Sequence, residues 1–114
     1  MAAKTREFEE LLLSSIDEAL LSLGESGRQS IYFHLEKNFN VGKTELVQKL
    51  EQFQIGLEKI FGVGARFIEI LIMKNLHAKI NKPLSGDNNL SLEFLKYVEA
   101  AKQSYLQENS ISSL

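Results

Sequence analysis

The sequence predicts an all-α fold, a compact globular domain of five or six helices around one buried central helix. Helix signals dominate, because the 114-residue chain has a single proline and few runs of β-branched residues. Its hydrophobic content of 44% is enough to build one core. Residues 64–80 carry apolar side chains on almost every side of a helix. Such a helix has to be surrounded by other elements, since one face alone cannot hide it.

The first helix is predicted from about Thr5 to Leu23, where apolar residues recur at helical spacing. Thr5 can cap its N-terminus, and Gly24 can end it in the left-handed conformation. Leu13 and Leu21 widen the apolar stripe beyond what one core contact requires. This helix is therefore a candidate for contacts on two sides.

A second helix is predicted over about 27–38, and its Phe33 points nearly opposite to the other apolar residues. Residues 39–43 interrupt the helical pattern. The stretch 44–61 then predicts a short turn followed by a longer helix, which Gly62 ends.

The central helix is expected over about 64–80, and the clearest loop of the chain follows at 83–89. Ser91 can cap the last helix. The sequence thus predicts a single domain over 1–108 and a flexible C-terminal tail over 109–114.

The chain contains no cysteine, which excludes disulfides, thiolate metal ligands and cysteine nucleophiles. Its net charge of −2 argues against a general binder of polyanions. The charge is unevenly distributed, with −4 over 1–25, +4 over 26–86 and −2 over 87–114. We expect the acidic first helix to lie across the basic middle segment, within one chain or between two.

No membrane span is expected. The best candidate, residues 60–76, contains Arg66, Glu69 and Lys74, and it is shorter than the ~20 apolar residues that a span requires. The N-terminus leads into a charged amphipathic stretch and not into a signal peptide. We expect a soluble protein.

Two glycine motifs resemble nucleotide-binding turns but lack the rest of each pattern. Gly42-Lys43-Thr44 ends like a P-loop, yet the glycine required five residues earlier is Lys37. Gly62-Val63-Gly64 would need a further glycine where the chain has Phe67. Both are interpreted as turns between helices, and no cofactor is predicted.

His34 and His77 are the only histidines, and neither shares a helix face with a second metal ligand. Since a zinc site requires three or four protein ligands, no metal site is predicted. No nucleophile, base and orienting group can be grouped from spacing either, so the chain is not expected to be an enzyme.

Arg66 lies in the central helix, one turn before Glu69, while Glu58 belongs to the preceding helix. A largely buried arginine normally requires a carboxylate partner. We predict a structural ion pair that orients the two helices around the Gly62–Gly64 turn. The alternative is an anion or a partner's carboxylate bound at Arg66.

Part of the chain, roughly residues 15–105, resembles a group of small archaeal domains known as Nitrosopumilus output domains. The resemblance is carried by Leu23-Gly24-Glu25-Ser26, Ile31-Tyr32-Phe33-His34-Leu35-Glu36, Phe53, Leu57-Glu58-Lys59-Ile60-Phe61-Gly62 and Gly64-Ala65. It implies an all-helical signalling-output module in an archaeal cytoplasm, and it implies no catalytic residues.

The surplus of apolar residues favours a non-enzymatic protein-interaction module, since exposed apolar patches usually mark association surfaces. The specific hypothesis is a homodimer, the commonest symmetric assembly, through the first helix and the far side of the second. The candidate interface residues are Phe8, Leu13, Leu21 and Phe33.

Two other functions remain open at this point. A transcription-linked nucleic-acid binder would use the lysines of the middle segment, which are Lys37, Lys43, Lys49, Lys59, Lys74, Lys79 and Lys82. A sensor of a small apolar ligand would use a pocket beside the central helix, lined by Phe61, Phe67, Met73 and Tyr32.

Overall fold

The structure is a computed structural model that describes residues 2–80 and 93–112, with the side chains of 3–80 and 93–107. This part of the chain is helical and has no β-strand, which confirms the all-α prediction. The helices are α1 (Ala2–Leu21), α2 (Glu25–Phe39), α3 (Leu50–Phe61), α4 (Ala65–Ile80) and α5 (Phe94–Ser112). Two 3₁₀ turns, Lys43–Gln48 and Gly62–Gly64, precede α3 and α4.

The predicted helices are all present among the described residues, with shifted ends. Helix α1 begins before Thr5, so Thr5 lies inside the helix and does not cap it. The predicted short turn followed by a longer helix is confirmed by the first 3₁₀ turn and α3. Helix α5 continues to Ser112, beyond the predicted domain end at residue 108. The predicted loop at 83–89 and the Ser91 cap lie outside the described residues.

Helix α4 occupies the centre of the domain and packs against α1, α3 and α5. Two polar contacts join it to α1. The Asn75 amide donates to the Ser15 carbonyl oxygen at 3.2 Å, and the Lys79 amine donates to the Glu18 carboxylate at 2.9 Å. The side chains that α4 buries are Ala65, Ile68, Glu69, Ile72, Met73, Leu76 and Ile80.

The turn between α3 and α4 follows the prediction made from its two glycines. Gly62 has a φ of 59° and its amide hydrogen-bonds to the Glu58 carbonyl oxygen, which ends α3. Because this φ lies in the left-handed region, a side chain at Gly62 would strain the backbone. The turn reverses the chain so that Gln54 of α3 lies beside Glu69 of α4.

The acidic first helix contacts the basic middle segment within one chain, as expected from the charge distribution. Asp17 of α1 accepts two hydrogen bonds from Arg28, at 2.8 and 3.0 Å, and a third from the Tyr32 hydroxyl at 2.8 Å. The Lys43 amine lies 3.6 Å from the same carboxylate and 5.1 Å from the centre of the Tyr32 ring. Asp17 therefore joins α1, α2 and the first 3₁₀ turn.

These contacts predict a pH dependence of stability. Burial raises the pKa of Asp17, but the hydrogen bonds from Tyr32 and Arg28, with the charge of Lys43, outweigh it and hold the pKa below its usual 3.8. The resulting stabilisation is complete above the pKa of the unfolded state and is lost as the pH falls through the lower folded pKa. We expect Asp17→Asn to reduce the free energy of unfolding at pH 7, and this loss should shrink below about pH 4.

Urea unfolding of both proteins between pH 7 and pH 3 measures this difference. Glu10→Gln, at an exposed position of the same helix, is the control and should follow the wild-type profile. A loss in Asp17→Asn that stays constant over the whole pH range would contradict the prediction.

Candidate protein-interaction surface

The structure leaves two of the four predicted interface residues exposed. Leu21 is 44% exposed and Phe33 is 59% exposed, whereas Leu13 is half-buried against the core. Phe8 is only 1% exposed, and its ring lies 5.9 Å from the ring of Tyr105. The prediction was wrong for Phe8, because α5 covers this part of α1.

The predicted contact between Arg66 and Glu69 is present, with 3.7 Å between Arg66 Nη1 and Glu69 Oε1, but both residues belong to α4, so this pair does not itself connect α3 to α4. The expected burial is reversed, however, since the Arg66 side chain is 40% exposed and the Glu69 side chain 5%. The Gln54 amide donates to Glu69 at 3.2 Å and to Glu93, the residue immediately before α5, at 3.0 Å. These contacts join α3, α4 and α5 around one buried carboxylate.

An open groove of about 570 Å³ lies between α3 and α4 beside this ion pair, and Glu58 lines it together with Val63 and Arg66. Burial raises the pKa of Glu69 above its usual range. Gln54 and Arg66 oppose that rise, while Glu58 adds to it. The described residues that line the groove carry two carboxylates, of Glu58 and Glu69, and one guanidinium, of Arg66.

One side of α4 is open to solvent in the single chain. At about 100° per residue, five of its open positions fall within an arc of roughly 100°, and the exposed His77 lies just outside this arc. We call this surface the α4 flank, and it consists of Phe67, Ile70, Leu71, Lys74 and Ala78. Phe67 is 76% exposed, Ile70 and Leu71 are half-buried, and Lys74 and Ala78 are exposed. Within one chain, the expectation that neighbours enclose α4 on all sides is thus wrong.

The α4 flank differs from an ordinary solvent-facing helix side. Single exposed apolar residues are normal on a protein surface. Here three apolar residues of one helix side lie together, and Val63, one turn before Phe67, is 95% exposed. A helix side that faces only water is usually polar, so this pattern is typical of a side that another element covers.

The lysines proposed for nucleic-acid binding are partly occupied by carboxylates of the same chain. Lys43, Lys49 and Lys79 each form an ion pair, at 3.6, 3.2 and 2.9 Å. These pairs reduce the positive field that a nucleic acid would meet. Lys82 lies outside the described residues.

The residues proposed for a ligand pocket do not line a common cavity in the described part of the chain. Phe67 is 76% exposed while Met73 is fully buried, because the two lie about 120° apart around α4. Tyr32 instead donates its hydroxyl hydrogen bond to Asp17. The predicted pocket lining was wrong.

The two histidines have separate surroundings. His34 Nδ1 lies 3.3 Å from the Asn38 amide nitrogen, and His77 Nδ1 lies 3.5 Å from the Tyr97 hydroxyl. Burial raises the pKa of Tyr97 to about 12. Among the residues with described side chains, no three His, Asp or Glu residues gather as metal ligands.

No helix within 2–80 or 93–112 combines the length and the apolar character that crossing a lipid bilayer demands.

No family model, no curated protein and no solved structure matches the chain. The α4 flank contains Phe67, the most exposed aromatic side chain among the described residues.

Proposed function

We propose that this chain is a non-enzymatic protein-interaction module that self-associates through the α4 flank. The observation that carries the proposal is the 76% exposure of Phe67 on a helix that otherwise forms the centre of the domain. The proposed interface therefore lies on α4 and not on the α1 and α2 residues that were predicted from the sequence.

Phe67 contributes little to the core of its own chain but offers a large apolar surface to a partner. Complete burial of a phenylalanine side chain is worth about 1.5–3 kcal/mol. Aromatic residues are enriched in the buried centres of interfaces, where a few anchors carry most of the binding energy. Ile70 and Leu71 extend this anchor into a surface.

The resemblance to Nitrosopumilus output domains adds a biological setting to the proposal. We propose a signalling-output role in an archaeal cytoplasm, in which association of the module transmits a signal. This setting rests on the resemblance alone, whereas the interaction surface rests on the exposure of the α4 flank.

The test is sedimentation velocity of the wild-type chain over a concentration series from micromolar to millimolar. We expect the mean mass to rise from monomer toward dimer. Phe67→Ser should keep the chain monomeric over the same series. Circular dichroism should show that the variant retains its helical content, since Phe67 is exposed.

Phe33→Ser is the matched control, because Phe33 is also an exposed phenylalanine of a helix, at 59%. It should associate like the wild type. If Phe33→Ser disrupted association and Phe67→Ser did not, the interface would lie on α2 and the proposed surface would be wrong. A wild-type chain that stays monomeric at every concentration would overturn self-association itself.

A further inference from the structure

We infer that the partner of the α4 flank is a second copy of the same flank, packed antiparallel around a twofold axis between Ile70 and Leu71. The inference rests on the proposed function and specifies the geometry of the complex. In this arrangement, Phe67 of one protomer lies over the partner's Lys74.

The spacing of the exposed side chains fits a pair of packed helices. Val63, Phe67, Ile70 and Lys74 follow one another at intervals of four, three and four residues. Val63 belongs to the 3₁₀ turn before α4 and continues the spacing of the α4 flank. The alternation places the side chains of Phe67, Ile70 and Lys74 in one row along α4, where they fit the grooves of a neighbouring helix that crosses at about 20°. A second α4 offers the same row.

The α4 flank is self-complementary in size when the second copy runs in the opposite direction. Around an axis between residues 70 and 71, each residue faces the one that lies equally far beyond the axis. Ile70 then faces the partner's Leu71, and Val63 faces the partner's Ala78. A large exposed side chain thus meets a small one at each end of the contact.

The antiparallel direction also places each Lys74 beside an aromatic ring of the other copy. Phe67 faces the partner's Lys74, and an ammonium group near the face of an aromatic ring is attracted by the ring. The described part of the chain forms this contact twice, with Lys37 at 5.5 Å from the Phe33 ring centre and Lys43 at 5.1 Å from that of Tyr32.

A parallel arrangement would lose both kinds of complementarity. It would place Lys74 beside the partner's Lys74, where like charges repel. It would also place Ala78 beside the partner's Ala78 and leave a gap at that end of the contact. The side chains of the flank therefore favour the antiparallel direction.

The complex should be weak. A contact through one pair of helices is smaller than the roughly 1,600 Å² of a standard interface. Association should therefore depend on concentration over the micromolar range and exchange quickly. This is a property that a signalling contact can use.

Crosslinking through introduced cysteines tests the geometry, and it does so cleanly because the chain has no cysteine of its own. The variants are Ile70→Cys, Val63→Cys and Ala78→Cys, each treated with a short bismaleimide reagent. We expect Ile70→Cys to form crosslinked dimers alone. Val63→Cys and Ala78→Cys should crosslink only when the two variants are mixed, since two copies of either residue lie more than about 20 Å apart.

Other patterns overturn the inference in distinct ways. If Val63→Cys or Ala78→Cys crosslinked with itself, the helices would be parallel, and the proposed self-association would still stand. If wild-type dimers formed without any of these crosslinks, another surface would carry the contact. If the wild type stayed monomeric, because residues 81–92 or another protein occupy the flank, both the inference and the proposed function would fail.

A charge reversal tests the contact between Lys74 and Phe67. Lys74→Glu should weaken association roughly tenfold, since both copies of the attraction are lost in one dimer. Lys59→Glu, at an exposed lysine of α3 outside the α4 flank, is the control and should leave association unchanged. Equal weakening in the two variants would indicate a general effect of charge and would overturn the paired contact.

Discussion

Replacing Phe53 by Ala is expected to lower the free energy of unfolding by about 3–5 kcal/mol. The Phe53 side chain is fully buried, and its ring centre lies 6.3 Å from that of Phe94. Truncation removes its apolar contacts and leaves a cavity where α3 meets α5, which cannot close without moving both helices. Urea or thermal unfolding followed by circular dichroism measures the loss.

Phe67→Ala is the matched control, because it makes the same chemical change on an exposed residue. Measured at a concentration where the chain is monomeric, it should change the free energy of unfolding by no more than about 0.5 kcal/mol. A loss as large as that of Phe53→Ala would mean that Phe67 belongs to the core of the single chain. The α4 flank would then not be an interaction surface.

Gly56→Val is expected to destabilise the domain by about 3 kcal/mol, through overpacking between α2 and α3. A Cβ atom at Gly56 would lie 2.5 Å from the Leu35 side chain and 3.3 Å from the Phe39 ring. Leu35 is fully buried and therefore has no free space to move into. The two helices would have to separate, and the thermal midpoint of unfolding should fall accordingly.

Gly27→Val provides the comparison, since it makes the same substitution inside α2. A Cβ atom there would have only an ordinary contact, 3.4 Å from Leu23 Cβ. The change in helix propensity from Gly to Val favours both variants, so a difference between them isolates the packing effect. Equal stabilities would show that α2 and α3 adjust at no cost and would contradict the close approach at Gly56.

Several features of the fold were predictable because they depend on neighbours in the sequence. The helical spacing of apolar residues predicted the helices, and Gly62 predicted the end of α3 by the left-handed conformation that it adopts. The pair of Arg66 and Glu69 followed from a spacing of three residues on one helix. The contact of acidic α1 with the basic middle segment followed from the charge distribution, since a segment of net negative charge is attracted to one of net positive charge.

The position of the surface was not predictable in the same way. Phe8 and Phe33 both appeared as apolar residues of amphipathic helices, yet one is in the core and the other is exposed. The reason is that α5, whose Tyr105 packs on Phe8, lies almost a hundred residues later in the chain. Spacing identifies the apolar side of a helix, but it does not identify the element that covers that side.

The sequence by itself determined that the chain forms a helical domain with α4 at its centre, because a segment so rich in apolar residues has to bury most of its surface against other helices. Only the tertiary structure decided that Met73 faces the core and Phe67 faces solvent, although both are large apolar residues of the same helix. The physical reason is that burial depends on the directions from which α1, α3 and α5 approach α4. Those directions are set by contacts between residues that are distant in the sequence.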